Sequence, residues 1–387
     1  MVQDFDIVEY GAQPGGTTVN TDAIQRAVDD CSAAGGGRVS CGPGVFLTGS
    51  LVLRDNVELH VSRGCRLVGS LKLEDYQPFE AEGFHPEKAP EHCTESLVRA
   101  IGARNIAITG PGEIDGSGLA FYDINDKPTR FFRKPTTPRP RMVMMYNCRD
   151  VLVEGTAFVD SPCWTFWLMK CERVQINGAR VWGDQRMINN DGIDLDSCRD
   201  VTVSDCIIRT GDDCLVLRDI QQMFDDPVPC ENITIDNCVL DTWCQGIRVG
   251  CPSDGTIRNC TFSNLTLKST NNGILIQNPK RYLLPDPGRA DIHDIIFSNV
   301  VLNCAHVPIM VFVDEGIALE RLSDFSFSGF RIRSGDPIQV IGSRETTIRD
   351  VRFSDIKIET SGDDAITCRN CEDVTLSNVN ISNSPQG

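Results

Sequence analysis

What the chain lacks narrows its class before any motif is read. No apolar run reaches the length needed to cross a membrane, so no membrane partner is expected. The amino-terminal MVQDFDIVEYG has neither a charged n-region nor an apolar h-region. Basic residues are in deficit: 37 Lys and Arg against 54 Asp and Glu give a formal net charge of −17 at pH 7. Nucleic acid is therefore disfavoured as a partner, because phosphate binding needs a basic face. The five histidines, His60, His85, His92, His293 and His306, fall in no motif. The 18 cysteines are not spaced as paired CxxC ligand sets, so no zinc site, and no metal or other cofactor, is expected.

What is present is repetition. One phrase recurs as CRDVLVEG at 148, CERVQING at 171, CRDVTVSD at 198, CENITIDN at 230 and CEDVTLSN at 371, with looser copies near Gly255, His293, Ser323 and Ile348. Successive starts lie roughly 22 to 39 residues apart, a period that marks a solenoid whose units bury apolar faces only against their neighbours. The phrases alternate Val, Ile and Phe with polar residues at period two and are punctuated by Asn, Asp and Gly, which favours strands over helical repeats.

A second phrase follows: DGIDLD from Asp191, DCLVLR from Asp213, QGIRVG from Gln245, NGILIQ from Asn272, DPIQVI from Asp336 and DAITCR from Asp364. At least two short strands per repeat fit one coil of a parallel β-helix better than a four-stranded propeller blade. Coils stack at about 4.8 Å, so residues in one column of the repeat become spatial neighbours. We expect one all-β domain over residues 1–387. A capping helix over about 20–36 should have Ala23, Ile24, Ala27, Val28 and Cys31 inward, Thr21 or Asp22 as N-cap, and Gly35 to Gly37 as terminator. Cys148, Cys171, Cys198, Cys230 and Cys371 share one column, and Cys206, Cys238 and Cys260 another. Such columns suit ladders of buried free thiols, and abundant unpaired thiols suit a reducing cytoplasm.

The chemistry concentrates in INNDGID and TGDDC. Asp191 shares a column with Asp213, and Asp212 adjoins it, so three carboxyl groups should gather on one flank of two successive coils. Glycoside hydrolysis needs one protonated carboxyl and one carboxylate, and like charges in one site raise at least one pKa. Asp-rich turns are also ordinary turn chemistry, and SGDD with Asp363 and Asp364 repeats the pattern near the C-terminus. The first copy is distinguished by Asn189 and Asp191 on the coil before it.

The succession FDIVEYGAQPGG, NTDAIQRAVDDC, GPGVFLTGSLVL, GPGEIDGSG, RPRMVMMYNC, DSPCWTF, NNDGIDLDSC and TGDDCLVLR resembles glycoside hydrolase family 28, the polygalacturonase-like enzymes, from about residue 5 to about residue 280. The resemblance implies a right-handed parallel β-helix and metal-free hydrolysis of pectic glycosides with inversion. Asp212 would be the general acid, with Asp191 and Asp213 holding and activating water. Two departures stand out. Gln245 occupies the family's histidine position, and Leu275 and Gln277 replace the Arg and Lys that bind a galacturonate carboxylate. Arg248 lies one coil before Leu275 in its column and Arg218 two coils before Gln277, so both are candidate substrate contacts.

Two segments resist incorporation into coils. Residues 117–141 contain the basic, Pro-rich stretch DKPTRFFRKPTTPRPR, and residues 278–291 contain Lys280 and Arg281. Both are read as loops walling a cleft, or as solvated loops. Trp243, next to Gln245, is a candidate sugar platform, whereas Trp164, Trp167 and Trp182 are read as packing. The expectation is an exo-acting inverting glycosidase on galacturonate- or rhamnogalacturonan-type oligosaccharides. A β-helix polysaccharide lyase and a non-catalytic carbohydrate-binding solenoid are the alternatives.

Overall fold

The structure, a computed structural model, describes residues 3–92, 94–124, 130–278, 289–361 and 364–383. Its strands wind as a right-handed parallel β-helix. An 11-stranded sheet runs in spatial order from Leu51–Val52 through Ser96–Ile101, Arg141–Tyr146, Cys163–Met169, Ile193–Asp196, Leu215–Arg218, Gln245–Val249 and Asn272–Asn278 towards Ile366–Arg369. We call this the cleft sheet. In the middle coils each of its strands is followed by two more on the other flanks, as Arg149–Glu154 and Ala157–Val159 follow Arg141–Tyr146.

The repeated phrase is explained by what each position meets. Val151, Val174, Val201, Ile233 and Cys260 pair in register from coil to coil and are buried. One residue earlier in most copies stands Asp or Asn in the left-handed region: Asp150, Asp200, Asn232, Asn259, Asp294, Asp324, Asp350 and Asp373 all have φ between 54° and 59°. Short polar side chains that bond locally tolerate that conformation, which is why Asp and Asn recur there. Further along, Phe262, Phe297, Phe327 and Phe353 stack with centroids 4.7, 5.0 and 5.1 Å apart, one ring per coil.

The thiol ladder exists in part as expected. Cys148, Cys171, Cys198 and Cys230 are fully buried, and Cys171 interacts with Cys148 below and Cys198 above. The column then continues through Ile257 and Ile292 before Cys371 resumes it opposite Ile348. The second column needs correction. Val239 pairs with Thr266, which sets Leu265 in line with Cys238, whereas Cys260 pairs with Ile233 and Ile295. The cause is a continuous strand, Thr256–Ser269, that carries two ladders on one run of chain.

The capping helix is Thr21–Ala33, with all five expected residues buried. Its N-cap is Asn20 rather than Thr21 or Asp22. Thr21 Oγ1 is engaged by the N–H of Gly49 at 2.7 Å, and the Asn20 side chain is spent on Gln13 and Thr18. Gly35 and Gly36, at φ 98° and 114°, end it as expected. No helix among the described residues is long and apolar enough to cross a membrane.

Candidate active site

The acids gather where turns enter two neighbouring strands of the cleft sheet, Ile193–Asp196 and Leu215–Arg218. Ile193 pairs with Leu215 and Leu215 with Ile247, so Asp191, Asp213 and Gln245 fall in one column, and Gln245 pairs onward with Asn272. Two glycines make this packing possible. A Cβ on Gly192 would lie 2.3 Å from the Cys214 carbonyl, and one on Gly211 would lie 2.3 Å from the Met187 carbonyl. The chain at 184–190 can therefore lie directly on the TGDD turn. Asn190 completes the seam, its Oδ1 accepting the N–H groups of Gly211 at 2.8 Å and Asp212 at 3.1 Å.

Each acid meets different partners. Asp212, partly exposed, accepts the Asn189 N–H at 2.9 Å on one oxygen and the Asp213 N–H at 3.1 Å on the other. Asp213 accepts the Gln245 N–H at 3.2 Å and Nη1 of Arg248 at 2.9 Å. Asp191 is 3 % exposed, and its Oδ1 has no hydrogen-bond partner among the described residues. Burial, followed by the charges of Asp212, Asp194 and Asp213, holds Asp191 well above the ordinary carboxyl range. Burial and the Asp213 charge also raise Asp212. Such a cluster retains a proton where isolated carboxyls have lost theirs. The acids are thus largely covered, with Asp191 and Asp213 buried and Asp212 partly exposed, and do not stand on an open outer face.

Of the candidate contacts, Asn189 and Arg248 belong to this cluster. Gln245 joins it through its backbone, while its side-chain Oε1 is buried without a partner among the described residues. Arg218 lies beneath it, 3 % exposed, with its guanidinium taken up by Asp194 at 2.5 Å and Asp196 at 3.6 Å and stacked 4.2 Å from the Trp164 ring. Register confirms the columns: Arg248 pairs with Leu275, and Gly250 donates to the Leu217 carbonyl one strand further. Lys280 and Arg281, with most of the 278–291 segment, lie outside the described residues.

Residues 117–141, of which 125–129 lie outside the described residues, pack as a wall beside the segment that carries the acids. Arg139 is 5 % exposed and donates to the carbonyls of Pro162 and Ile188 at 3.1 and 2.9 Å and to Asn189 Oδ1 at 3.2 Å. Arg130 reaches across to Asn271 Oδ1 at 2.8 Å and to the Trp243 carbonyl, and Phe131 packs 6.3 Å from the Trp243 ring. Trp243 therefore stands at the lip of this wall, partly buried.

The periodic reading missed two features. Residues 76–92 form a strap over the cleft sheet on the N-terminal side of the acids. Phe84 bridges to Phe224, the His85 N–H donates to the Met223 carbonyl at 2.8 Å, and Phe79 and Phe84 bury Met144, Tyr146, Trp164, Trp167 and Met169. Irregular aromatics at 79, 84 and 224 were the available signal. The other is Cys244, whose sulfur lies with oxygens of Asp212 and Asp213 inside a mutual 4.8 Å, the one grouping of potential metal-ligand atoms found among the described residues. The chain also has one Cys-x-x-Cys, Cys368 to Cys371, on its last coil and away from the acids.

Known proteins resemble this chain in sequence and fold. The family described as glycosyl hydrolases family 28 matches residues 69–315. A probable polygalacturonase of Vitis vinifera is 26% identical over 282 residues, 70% of this chain, and the match spans 56% of that relative's length. An exopolygalacturonase of Thermotoga maritima superposes with a TM-score of 0.79 at 22% identity, covering 98% of this chain and 91% of its own. A family 28 exopolygalacturonase of Yersinia enterocolitica gives 0.70 at 18% identity, covering 98% and 78%. With its fold, its two acid-bearing turns and a family match over more than half its length, the chain belongs to glycosyl hydrolases family 28.

Proposed function

We propose that the protein is an exo-acting, inverting glycoside hydrolase of pectin-derived oligosaccharides of galacturonate or rhamnogalacturonan type. The observation that carries this reading is the grouping of Asp191, Asp212 and Asp213 at the turns that enter two adjacent strands, beside the strap that covers the neighbouring part of the cleft sheet. The name of the Vitis vinifera relative supports the pectic substrate class.

Asp212, partly exposed and raised by burial, is the acid that protonates the leaving oxygen. Asp213, salt-bridged to Arg248, is the standing carboxylate. Both of its oxygens already accept hydrogen bonds, which favours holding a water over direct attack on carbon. Asp191 offers its unpartnered oxygen to the same water. Arg248, Gln245, Asn189 and Trp243 border the sugar, and the strap at 76–92 stops the substrate chain, so cleavage proceeds from an end. A cytoplasmic setting, supported by the buried free thiols, suits short imported substrates.

The test is product analysis on oligogalacturonides, rhamnogalacturonan fragments and neutral aryl glycosides. The wild type is expected to release short products from one chain end, and Asp212→Asn to lose activity by about 100-fold or more. Equal cleavage by the two proteins overturns the reading.

A further inference from the structure

Asp212 has a third neighbour besides the two N–H groups that hold its oxygens. Cys244 directly precedes Gln245 and is one of the few described cysteines that are not buried. Its backbone is pinned: its N–H donates to Thr242 Oγ1 at 2.9 Å, and the same hydroxyl donates to the Asp212 carbonyl at 2.5 Å. Its carbonyl accepts the Asn271 N–H at 3.2 Å. The thiol is therefore carried by the same turn that fixes the main chain of the acid.

The side chains around it form a directed series. Arg130 has donors alone, so the Asn271 oxygen must face it, and Nη1 lies 2.8 Å from that oxygen. The Asn271 amide nitrogen then faces the sulfur and donates to it at 3.6 Å. With a lone pair of the sulfur occupied in this way, the S–H proton is left to point elsewhere, and an oxygen of the Asp212 carboxylate lies within 4.8 Å of the sulfur. Burial, then the charges of Asp212 and Asp213, hold the thiol well above its ordinary range, so it remains an S–H donor through neutral pH.

We infer that Cys244 is a positioning residue for the reaction, the last link of a series Arg130, Asn271, Cys244, Asp212 that orients the acid's carboxyl and sets the pH at which it ionises. This rests on the reading of Asp212 as the proton donor. It also gives the wall at 117–141 a chemical role: Arg130 opens the series that ends at the acid.

The sign of the effect follows from the bond. A donor to the ionised carboxylate favours ionisation, so removing the thiol moves Asp212 upward. The acid must be protonated to act, hence the limb of kcat/KM that falls with rising pH moves to higher pH. For Cys244→Ala we expect a displacement of about half to one pH unit, the range one modest hydrogen bond supplies. KM at the optimum should change little, and Cys244→Ser, which keeps a donor, should bring the limb back towards wild type. A limb unmoved in Cys244→Ala, or a uniform loss at all pH values, overturns the inference.

A second readout needs no turnover. The pH dependence of Cys244 alkylation by iodoacetamide, followed by peptide mass spectrometry, should begin at lower pH in Asp212→Asn than in wild type, because the amide removes the charge that holds the proton on sulfur. An unchanged onset overturns the inference. Wild-type inactivity across the substrate panel, with the onset shifted, would instead remove the proposed reaction and leave the contact standing.

Discussion

Arg248 Nη1 lies 2.9 Å from Asp213 Oδ2, on neighbouring strands of the cleft sheet and at a site where Asp213 is 1 % exposed. This pairing supplies a cation one coil before the Leu275 and Gln277 positions, which carry none. Removing one partner of a buried pair leaves an uncompensated charge, so Arg248→Ala should cost about 3 kcal/mol of stability. It should also lower kcat far more than Arg248→Lys, because lysine keeps the charge. Thermal melts and initial rates on one oligosaccharide check both effects.

Arg139 acts on the acid at one remove. It fixes Ile188 and Asn189, and the Asn189 N–H is a donor to Asp212. Arg139→Ala should therefore lower kcat by about 10- to 100-fold, the usual cost of a small misplacement near the chemistry, with a smaller change in KM. Steady-state kinetics separate the two. A pure KM effect would mean that Arg139 binds substrate directly.

Asp219 predicts a pH dependence of stability unrelated to catalysis. Burial pushes its carboxyl up to about 7 despite bonds from Ser197 and the Thr256 N–H, each at 2.6 Å. A carboxyl raised on folding stabilises the folded state below its unfolded pKa and loses that contribution as pH rises through the folded value. Stability should therefore fall between pH 5 and pH 7. Asp219→Asn should flatten the fall by up to about 1.4 kcal/mol per pH unit. Denaturant midpoints across that range measure it, and parallel slopes would contradict the assignment.

The strap should determine product length. Phe84 packs against Phe79, Tyr146, Trp167 and Phe224 at centroid distances of 5.7 to 6.1 Å and so anchors the strap's middle to the sheet. Phe84→Ala should loosen the closed end and shift products from the shortest sugar towards longer oligomers, as chromatography would show. It should also lower stability by about 3 kcal/mol or more.

These relationships divide between what repetition can carry and what it cannot. Stacked coils turn sequence columns into distances, so Asp191, Asp213 and Gln245 were legible as one column and Arg248 as the neighbour of Leu275. The same logic placed Cys260 wrongly, because a strand holding two ladders breaks the one-phrase, one-column rule. It also could not show the strap over Trp164 and Trp167. That depends on an aperiodic segment whose partners lie up to 140 residues away, as with His85 and Asp225. Cys244 was hidden for another reason: it sits outside both cysteine columns, and its partners come from three separate segments.

The most direct test of the whole account is the anomeric configuration of the first product, followed by proton NMR as an exo-cleavage proceeds. One oxygen of Asp212 and one of Asp213 lie within 4.8 Å of each other, whereas the carboxyl groups of inverting pairs usually stand roughly 6.5–9.5 Å apart, so the anomeric outcome is the deciding observation. Water held by Asp213 and Asp191 and protonation by Asp212 predict a product whose anomeric centre is first seen inverted relative to the bond cleaved. A first product with retained configuration would make one of those carboxylates a nucleophile and contradict the account.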